Sequence, residues 1–517
     1  MNIPRRAALA LAPAALLAGC GVSGSDEKSP SGSASPSGSS PGTPTHAGKP
    51  QWSTLADNLR GELVRPSDSS YDSLKKVENP RYDDARPLAL LRAKNAKDVA
   101  AGLKFAAHYD VPIAVRSGGH NYAGWSAGGA PGTHVPRSLV IDLRDLADVS
   151  VGGNGTATVG AGAQLIDVYA AVADKGRAIA AGSCPTVGVT GLTLGGGVGV
   201  LTRSYGLTCD QVESVDIVTA DGTVRTVDSK HDADLFWACR GGGGGQFGVV
   251  TGWKFRTRSA PTVSVFFLEF PASRATDVID AWQRWAPTAD KRLWSTCKYL
   301  SGAKHPTPVL KVAGTWIGSS GLDEQIDEFI DAAGAPSSRF TGTHSYLDAM
   351  LLEAGCSKLG VSECHIGHGG ALERETLSAT SHIAGSRLSR TAIGELTDAV
   401  QRARAVDGLV EGGVSLDALG GAVEQGSGTA FAYRDALASV QYTATWHSGG
   451  GSDGRAYDGY VHDLRSTMVP HWGTGAYVNY ADPTLDAKDY FGANAARLRS
   501  VKRAYDPHGL FDQPTSV

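Results

Sequence analysis

The 517-residue sequence predicts an α+β protein built in two parts. Three observations carry that reading. A strand-helix-strand unit runs from Leu88 to Val115 and delivers the chain into a glycine-rich loop; glycines cluster between Gly182 and Gly248; and beyond about Ala260 long strand-like runs alternate with amphipathic helical ones. The length supports two domains with a well-buried core. A formal net charge of -4 gives no electrostatic footprint for nucleic acid or for an anionic membrane surface.

The first 50 residues read as an address. Arg5-Arg6 precedes an apolar run from Ala7 to Leu17, too short to span a bilayer but suited to a signal peptide over residues 1–19. Leu17-Ala18-Gly19-Cys20 resembles a bacterial lipobox, with Cys20 as the lipidated first residue of the mature chain. The paired arginines suit either Tat or Sec export, since Ala7-Ala8-Leu9 departs from the usual Tat wording. Residues 20–50 then form a lipid anchor and a disordered tether, because Val22 to Lys49 is almost all Ser, Gly, Pro and Thr and buries too little apolar surface to fold. The expected location is extracytoplasmic, with the membrane touched only through Cys20.

The body follows in three segments, 51–260, 261–460 and 461–517. In the first, Leu88 to Leu91 is a strand; Asn95 and Asp98 cap a helix whose inner face carries Val99, Leu103 and Ala106; and Val111 to Val115 is the next strand. Ser138 to Leu143 and Thr156 to Val159 read as strands, and Gln164 to Lys175 as a helix stopped by Gly176. Val212 to Val218 and Val224 to Val227 flank Asp221-Gly222, a hairpin signal. In the second segment, strands at Val263 to Phe270, Val309 to Trp316, Val414 to Leu419 and Tyr442 to Trp446 are backed by helices at Asp277 to Trp285 and Leu322 to Ala333. The third closes with Tyr477-Val478-Asn479-Tyr480 and a helix from about Tyr490 to Tyr505. No G-x-G-x-x-G follows the first strand, so this is not a dinucleotide fold by motif.

Two residues stand out chemically. His120 ends the run Arg116-Ser117-Gly118-Gly119-His120, and Cys184 sits in Gly182-Ser183-Cys184-Pro185-Thr186-Val187-Gly188. Backbone without side chains can lie against a flat ring or a diphosphate, and imidazole and thiolate are both nucleophiles. Alone, each has a plain structural reading as a hydrogen-bonded histidine and an inert thiol. Cys209, Cys239, Cys297, Cys356 and Cys364 follow no metal-ligand spacing, so no metal is expected. Export permits a disulfide, Cys356 and Cys364 being nearest in sequence, and the pairing stays open.

Four blocks in order resemble the berberine bridge enzyme-like oxidases of the vanillyl-alcohol-oxidase-type flavoproteins: residues 115–120, residues 182–197, Asp234 to Trp237 with Arg240 to Val250, and Tyr477 to Phe511. The resemblance spans roughly residues 80 to 515. It implies a two-part FAD-binding domain plus an antiparallel-sheet substrate domain, and FAD attached through both His120 and Cys184. Arg116, Ser117, Gly118, Gly119, Gly188, Thr193 and Val250 are then FAD contacts, with Tyr477 and Asn479 beside the cofactor. Val187 implies room for oxygen at the ring, hence an oxidase. Tyr480 and Asp417 take the places of the proton-accepting pair, while their plain readings are a core aromatic and a turn residue. The implied partners are a small-molecule alcohol, a sugar or glycosylated metabolite foremost, and oxygen, with hydrogen peroxide as product. Trp125, Trp316 and Trp446 are candidate sugar platforms or core residues. Flavin-dependent oxidative cyclisation or desaturation of a secondary metabolite is the alternative. A non-enzymatic solute-binding lipoprotein fits the leader but has no use for His120 and Cys184.

Overall fold

The computed structural model describes residues 48–367, 369–447 and 454–517. The expected signal peptide, Cys20 and almost all of the tether lie outside the described residues. Among those described, no helix is long and apolar enough to cross a membrane, and no cluster of three or more His, Cys, Asp or Glu is placed to hold a metal.

The first part holds two sheets. Strands β1 (Glu62–Val64), β2 (Ala89–Arg92), β3 (Ile113–Arg116) and β4 (Leu139–Asp142) form one, in the order β1-β2-β4-β3, with β2, β4 and β3 parallel. Parallel strands are covered on both faces, which is why β2 and β4 are apolar almost without alternation. The helix Ala96–Tyr109 starts where Asn95 accepts from the amides of Lys97 and Asp98 at 2.9 and 3.1 Å, and it buries Val99, Leu103 and Ala106. Strands β5 (Val149–Val151), β6 (Thr156–Gly160), β8 (Val212–Val218), β9 (Val224–Val227) and β10 (Val249–Arg256) make the second sheet, antiparallel, in the order β5-β6-β10-β8-β9; the short β7 (Arg177–Ala178) pairs with β11 (Arg258–Ser259). The β8-β9 hairpin turns at Gly222, whose φ of +74° suits glycine.

The second part is one antiparallel seven-stranded sheet: β12 (Val263–Phe270), β13 (Leu293–Ser301), β14 (Val309–Ile317), β15 (Ser338–His344), β16 (Thr376–Ala384), β17 (Leu409–Ala418) and β18 (Ala438–Trp446), in the order β15-β12-β14-β13-β17-β18-β16. Side chains alternate between its faces. Leu416, Val440 and Tyr442 point with Trp282, Phe329 and Leu464 into a core under the helices Ala275–Trp285, Leu322–Ala333, Arg390–Gln401 and Arg455–Trp472. Trp316 and Trp446 belong to that core, Trp446 also reaching the wall of a second cavity. Thr296, Asp417 and Ser439 stand side by side on the opposite face, in register across β13, β17 and β18. The expected boundary at 461 falls within the helix Arg455–Trp472, which packs on β16 and β18.

The terminal segment returns to the first part. The single helix expected over Tyr490 to Tyr505 is two, Ala487–Phe491 and Ala495–Tyr505, because Gly492 takes φ +46° and ψ -127° and breaks the helical path. Cys356 and Cys364 form a disulfide, while Cys239 is a small buried side chain.

Beneath the loop that follows β3, Arg116 is fully buried. Its guanidinium donates to Asp142 at 2.9 Å and to the Lys75 and Leu74 carbonyls at 2.8 and 3.1 Å, and Arg144 closes on the same carboxylate at 2.7 Å. Burial alone would raise the Asp142 carboxyl, but the two arginines outweigh it and hold the group below its usual range. The stability it contributes is present above the usual carboxylate range and is lost as pH falls through the depressed value. Asp142→Ala, which leaves a buried cation unpaired, should cost about 3–5 kcal/mol in urea unfolding at neutral pH. A loss within experimental error would show that the pair does not support the loop.

Candidate active site

Two loops meet backbone to backbone. A Cβ on Gly118 would lie 2.2 Å from the Gly188 nitrogen, and one on Gly188 would lie 2.2 Å from both the Gly118 nitrogen and Ser117 Oγ. No other residue type permits that approach. The Cys184 loop is pinned from the far side, where Leu165 and Ile166 donate their amides to the Val187 and Pro185 carbonyls, each at 3.0 Å. His120 Nε2 consequently lies 2.9 Å from Thr186 Oγ1. His120 and Cys184, 64 positions apart in sequence, open onto one cavity.

Burial lowers the His120 imidazole to about 4, opposed by the Thr186 carbonyl, so the ring is neutral near pH 7. Cys184 is exposed to the cavity but surrounded by protein elsewhere. That desolvation raises its thiol, against the Thr186 and Val187 amides and the Thr186 hydroxyl, which favour the thiolate.

The cavity suits a flavin dinucleotide. Its walls include Gly118, Gly119, Gly188, Gly191, Gly244 and Gly245, and at Gly191 the space a Cβ would occupy is open. None of the five consecutive amide N–H groups from Ser117 to Asn121 is hydrogen-bonded to another described residue. No Lys, Arg, Asp or Glu lines the cavity, so a diphosphate would be held by these backbone donors, an anion nest. Trp125 Nε1 and Ser126 Oγ, also in the wall, are buried without partners. Such donors are costly to leave unpaired and point to a polar ligand.

The terminal tyrosines have separate tasks. Tyr477 is buried, its hydroxyl accepting from the Gly197 and Val198 amides at 3.0 and 3.1 Å and from Asn479 Nδ2 at 2.8 Å; the same Nδ2 donates to the Leu192 carbonyl at 2.9 Å. This pair secures the glycine run against the protein itself: a Cβ on Gly195 would fall 2.0 Å from Asn479 Oδ1. Tyr480 lines the cavity, stacked on Tyr122 at 5.8 Å and edge-on to Tyr477 at 5.0 Å. Burial pushes its phenol well above the usual value, and the nearby Asp417 and Tyr122 push the same way, so it carries its proton at neutral pH. Asp417 is itself raised by burial, opposed by Lys298 and the Thr296 hydroxyl. Behind it, burial lifts Glu353 to about 7, with Lys298 opposing and Asp417 adding. Glu353 Oε1 and Ser439 Oγ are buried without partners among the described residues.

Not every expected contact reaches the cavity. The Arg116 side chain is committed to Asp142, Thr193 is fully buried with its hydroxyl on the Val189 carbonyl, and Val250 is buried within β10; these three stand behind the wall. Ser117, Gly118, Gly119, Val187, Gly188 and Asn479 line it. So does Trp125, on the cofactor side rather than as a substrate platform. Sequence reasoning does not reach Tyr122, Gln441 or Thr186. The Tyr122 hydroxyl accepts from Gln441 Nε2 at 2.9 Å, tying the first part to the sheet. Tyr122 had a local signal, two residues after His120; Gln441 had none, since only the register of β18 aims it there. A second cavity, about 760 Å³, begins on the other side of Tyr122 and is lined by Tyr82, Ser378, Asp458 and His462.

Comparison with known proteins agrees with this geometry. A family described as "FAD binding domain" matches residues 87–228, and one described as "Berberine and berberine like" matches residues 476–517. The uncharacterized FAD-linked oxidoreductase YvdP of Bacillus subtilis (strain 168) is 32% identical over 470 residues, covering 89% of this chain and 98% of the relative. Glucooligosaccharide oxidase of Sarocladium strictum is 29% identical over 462 residues, 84% of this chain and 88% of that protein. Among solved structures, Physcomitrella patens BBE-like 1 superposes with a TM-score of 0.80 at 25% identity, covering 90% of this chain and 98% of its own. Glucooligosaccharide oxidase from Acremonium strictum, whose title describes a 6-S-cysteinyl, 8α-N1-histidyl FAD, gives 0.78 at 27% identity, with 91% and 99% covered.

Proposed function

The chain belongs to the berberine bridge enzyme-like family and is an FAD-dependent oxidoreductase acting on CH–OH groups, and on that premise we propose that it is an extracytoplasmic oxidase of a sugar or glycosylated metabolite carrying bicovalent FAD. The observation that carries the reading is Tyr480 on the cavity, with Asp417 behind it and Tyr122 and Gln441 beside it. FAD held there by the loops bearing His120 and Cys184 would supply the hydride acceptor, with dioxygen as final oxidant and hydrogen peroxide as product.

The chain's own residues handle the proton. Tyr480 enters the reaction protonated, so it cannot act as a free phenolate. As the substrate hydroxyl gives its proton to Tyr480 Oη, the phenolic proton passes to Asp417, whose negative charge makes the transfer favourable. Tyr122, fixed by Gln441, stacks on Tyr480 and holds its ring in place. Relatives named glucooligosaccharide and xylooligosaccharide oxidase support the sugar reading, and Val187 on the cavity wall supports oxygen as acceptor. His120 and Cys184 hold the cofactor and take no part in substrate chemistry.

A base must be ionised to work, so kcat/KM should fall as pH drops through the raised Asp417 value and hold above it. Asp417→Asn and Tyr480→Phe should each lower the anaerobic rate of flavin reduction by about 10²–10⁴-fold while leaving flavin content unchanged. A variant reduced at the wild-type rate would remove that residue from the mechanism. The substrate class is decided by peroxide release on a panel of oligosaccharides against polycyclic and alkaloid-like alcohols; turnover of the latter alone would move the reading to secondary-metabolite oxidation. For location, Cys20→Ala should release active enzyme into the medium, and wild-type protein found in the cytoplasmic fraction would contradict the anchored, exported form.

A further inference from the structure

We propose that Thr186 is the positioning residue for covalent attachment of the cofactor: its hydroxyl engages His120 Nε2 and leaves Nδ1 as the ring nitrogen free to attack. This rests on the bicovalent reading above. Thr186 is buried, 3% exposed, in a loop that cannot drift. Pro185 precedes it, the Pro185 and Val187 carbonyls are held by the helix Leu165–Asp174, and a Cβ on Gly118 would come within 2.9 Å of the Thr186 carbonyl oxygen.

The hydroxyl has one proton to donate and lone pairs to receive. It lies 2.9 Å from His120 Nε2, and it opposes the desolvation that raises the Cys184 thiol. One arrangement has Nε2–H donating to Oγ1 and the hydroxyl proton turned to sulfur. The neutral ring then carries its proton on Nε2, and the Nδ1 lone pair is free. The opposite tautomer would put the proton on Nδ1, for which no hydrogen bond to a described residue is recorded. For Cys184 the hydroxyl joins the Thr186 and Val187 amides in stabilising thiolate, the attacking form, against a desolvated surrounding.

The bonds balance with dioxygen as oxidant. At Cys184 an S–H bond and a ring C–H bond break and one S–C bond forms. At His120 a methyl C–H bond breaks, an N–C bond forms at Nδ1, and the Nε2 proton leaves through Thr186. Each attachment thus gives up two protons and two electrons in total, which convert one dioxygen to hydrogen peroxide.

The test uses full-length apoprotein from riboflavin-starved cells, incubated aerobically with FAD and sampled for acid-stable flavin on the His120 and Cys184 peptides by mass spectrometry. Thr186→Val keeps the shape and removes the hydroxyl; it should slow both attachments by about tenfold or more, and Thr186→Ser should restore them to within about threefold. Both variants should melt at the wild-type temperature. Attachment by Thr186→Val at the wild-type rate overturns the proposal, as does failure of Thr186→Ser to rescue. If wild-type protein forms no covalent bond at all, the bicovalent reading itself is wrong, an outcome seen in the wild-type arm alone.

Discussion

Gly118 and Gly188 touch through their backbones, and the active site is organised by that contact. It joins the loop leaving a parallel strand to the loop entering the helix Val189–Leu194, and it places an imidazole and a thiol on one cavity. The load passes to the interior through Arg116 and Asp142 under one loop and through the helix Leu165–Asp174 behind the other. With neither Lys nor Arg in the wall, charge on a bound diphosphate falls to unpaired backbone donors, and such donors point inward only while the loops hold their shape. A covalent bond to each loop would then add retention to a site that offers the diphosphate no Lys or Arg among its described lining residues.

The substrate side works on the opposite electrostatic principle. Where no Lys, Arg, Asp or Glu among the described residues lines the cofactor cavity, the region beyond Tyr480 gathers Asp417, Glu353 and Lys298. Burial raises both carboxyls, and the phenol above them is held protonated. The pair is therefore suited to moving a proton in concert with hydride loss and unsuited to standing as a preformed phenolate. Tyr122 couples the halves: its ring stacks on Tyr480, its hydroxyl takes a hydrogen bond from Gln441 on the sheet, and it also walls the second cavity.

Much of this was legible before any coordinates. The cap at Asn95, the hairpin at Gly222 and the helix Leu322–Ala333 follow from local chemistry and periodicity, and each stands where the sequence puts it. Strands β13 and β16 did not announce themselves. β13 is buried on both faces with Ser295 and Thr296 inside, and in β16 Thr380 and His382 are buried under helices, where His382 finds the Tyr442 hydroxyl at 2.9 Å, so alternation of apolar and polar residues is lost. Glycine backbone can lie against a flat ring or a diphosphate. That holds for Gly191 and Gly244, but Gly118, Gly188, Gly195 and Gly199 are glycines because protein presses on protein there. Tyr122, Gln441 and Thr186 escaped because their roles are set by register and loop contact, which no local pattern encodes.

The central claim is that two back-to-back loops grip a single flavin from both sides. Proteolysis of acid-denatured holoprotein followed by mass spectrometry addresses it directly. The account predicts one cross-linked species in which the peptides bearing His120 and Cys184 are joined through one flavin. Recovery of the two peptides separately, with all flavin released on denaturation, would contradict it.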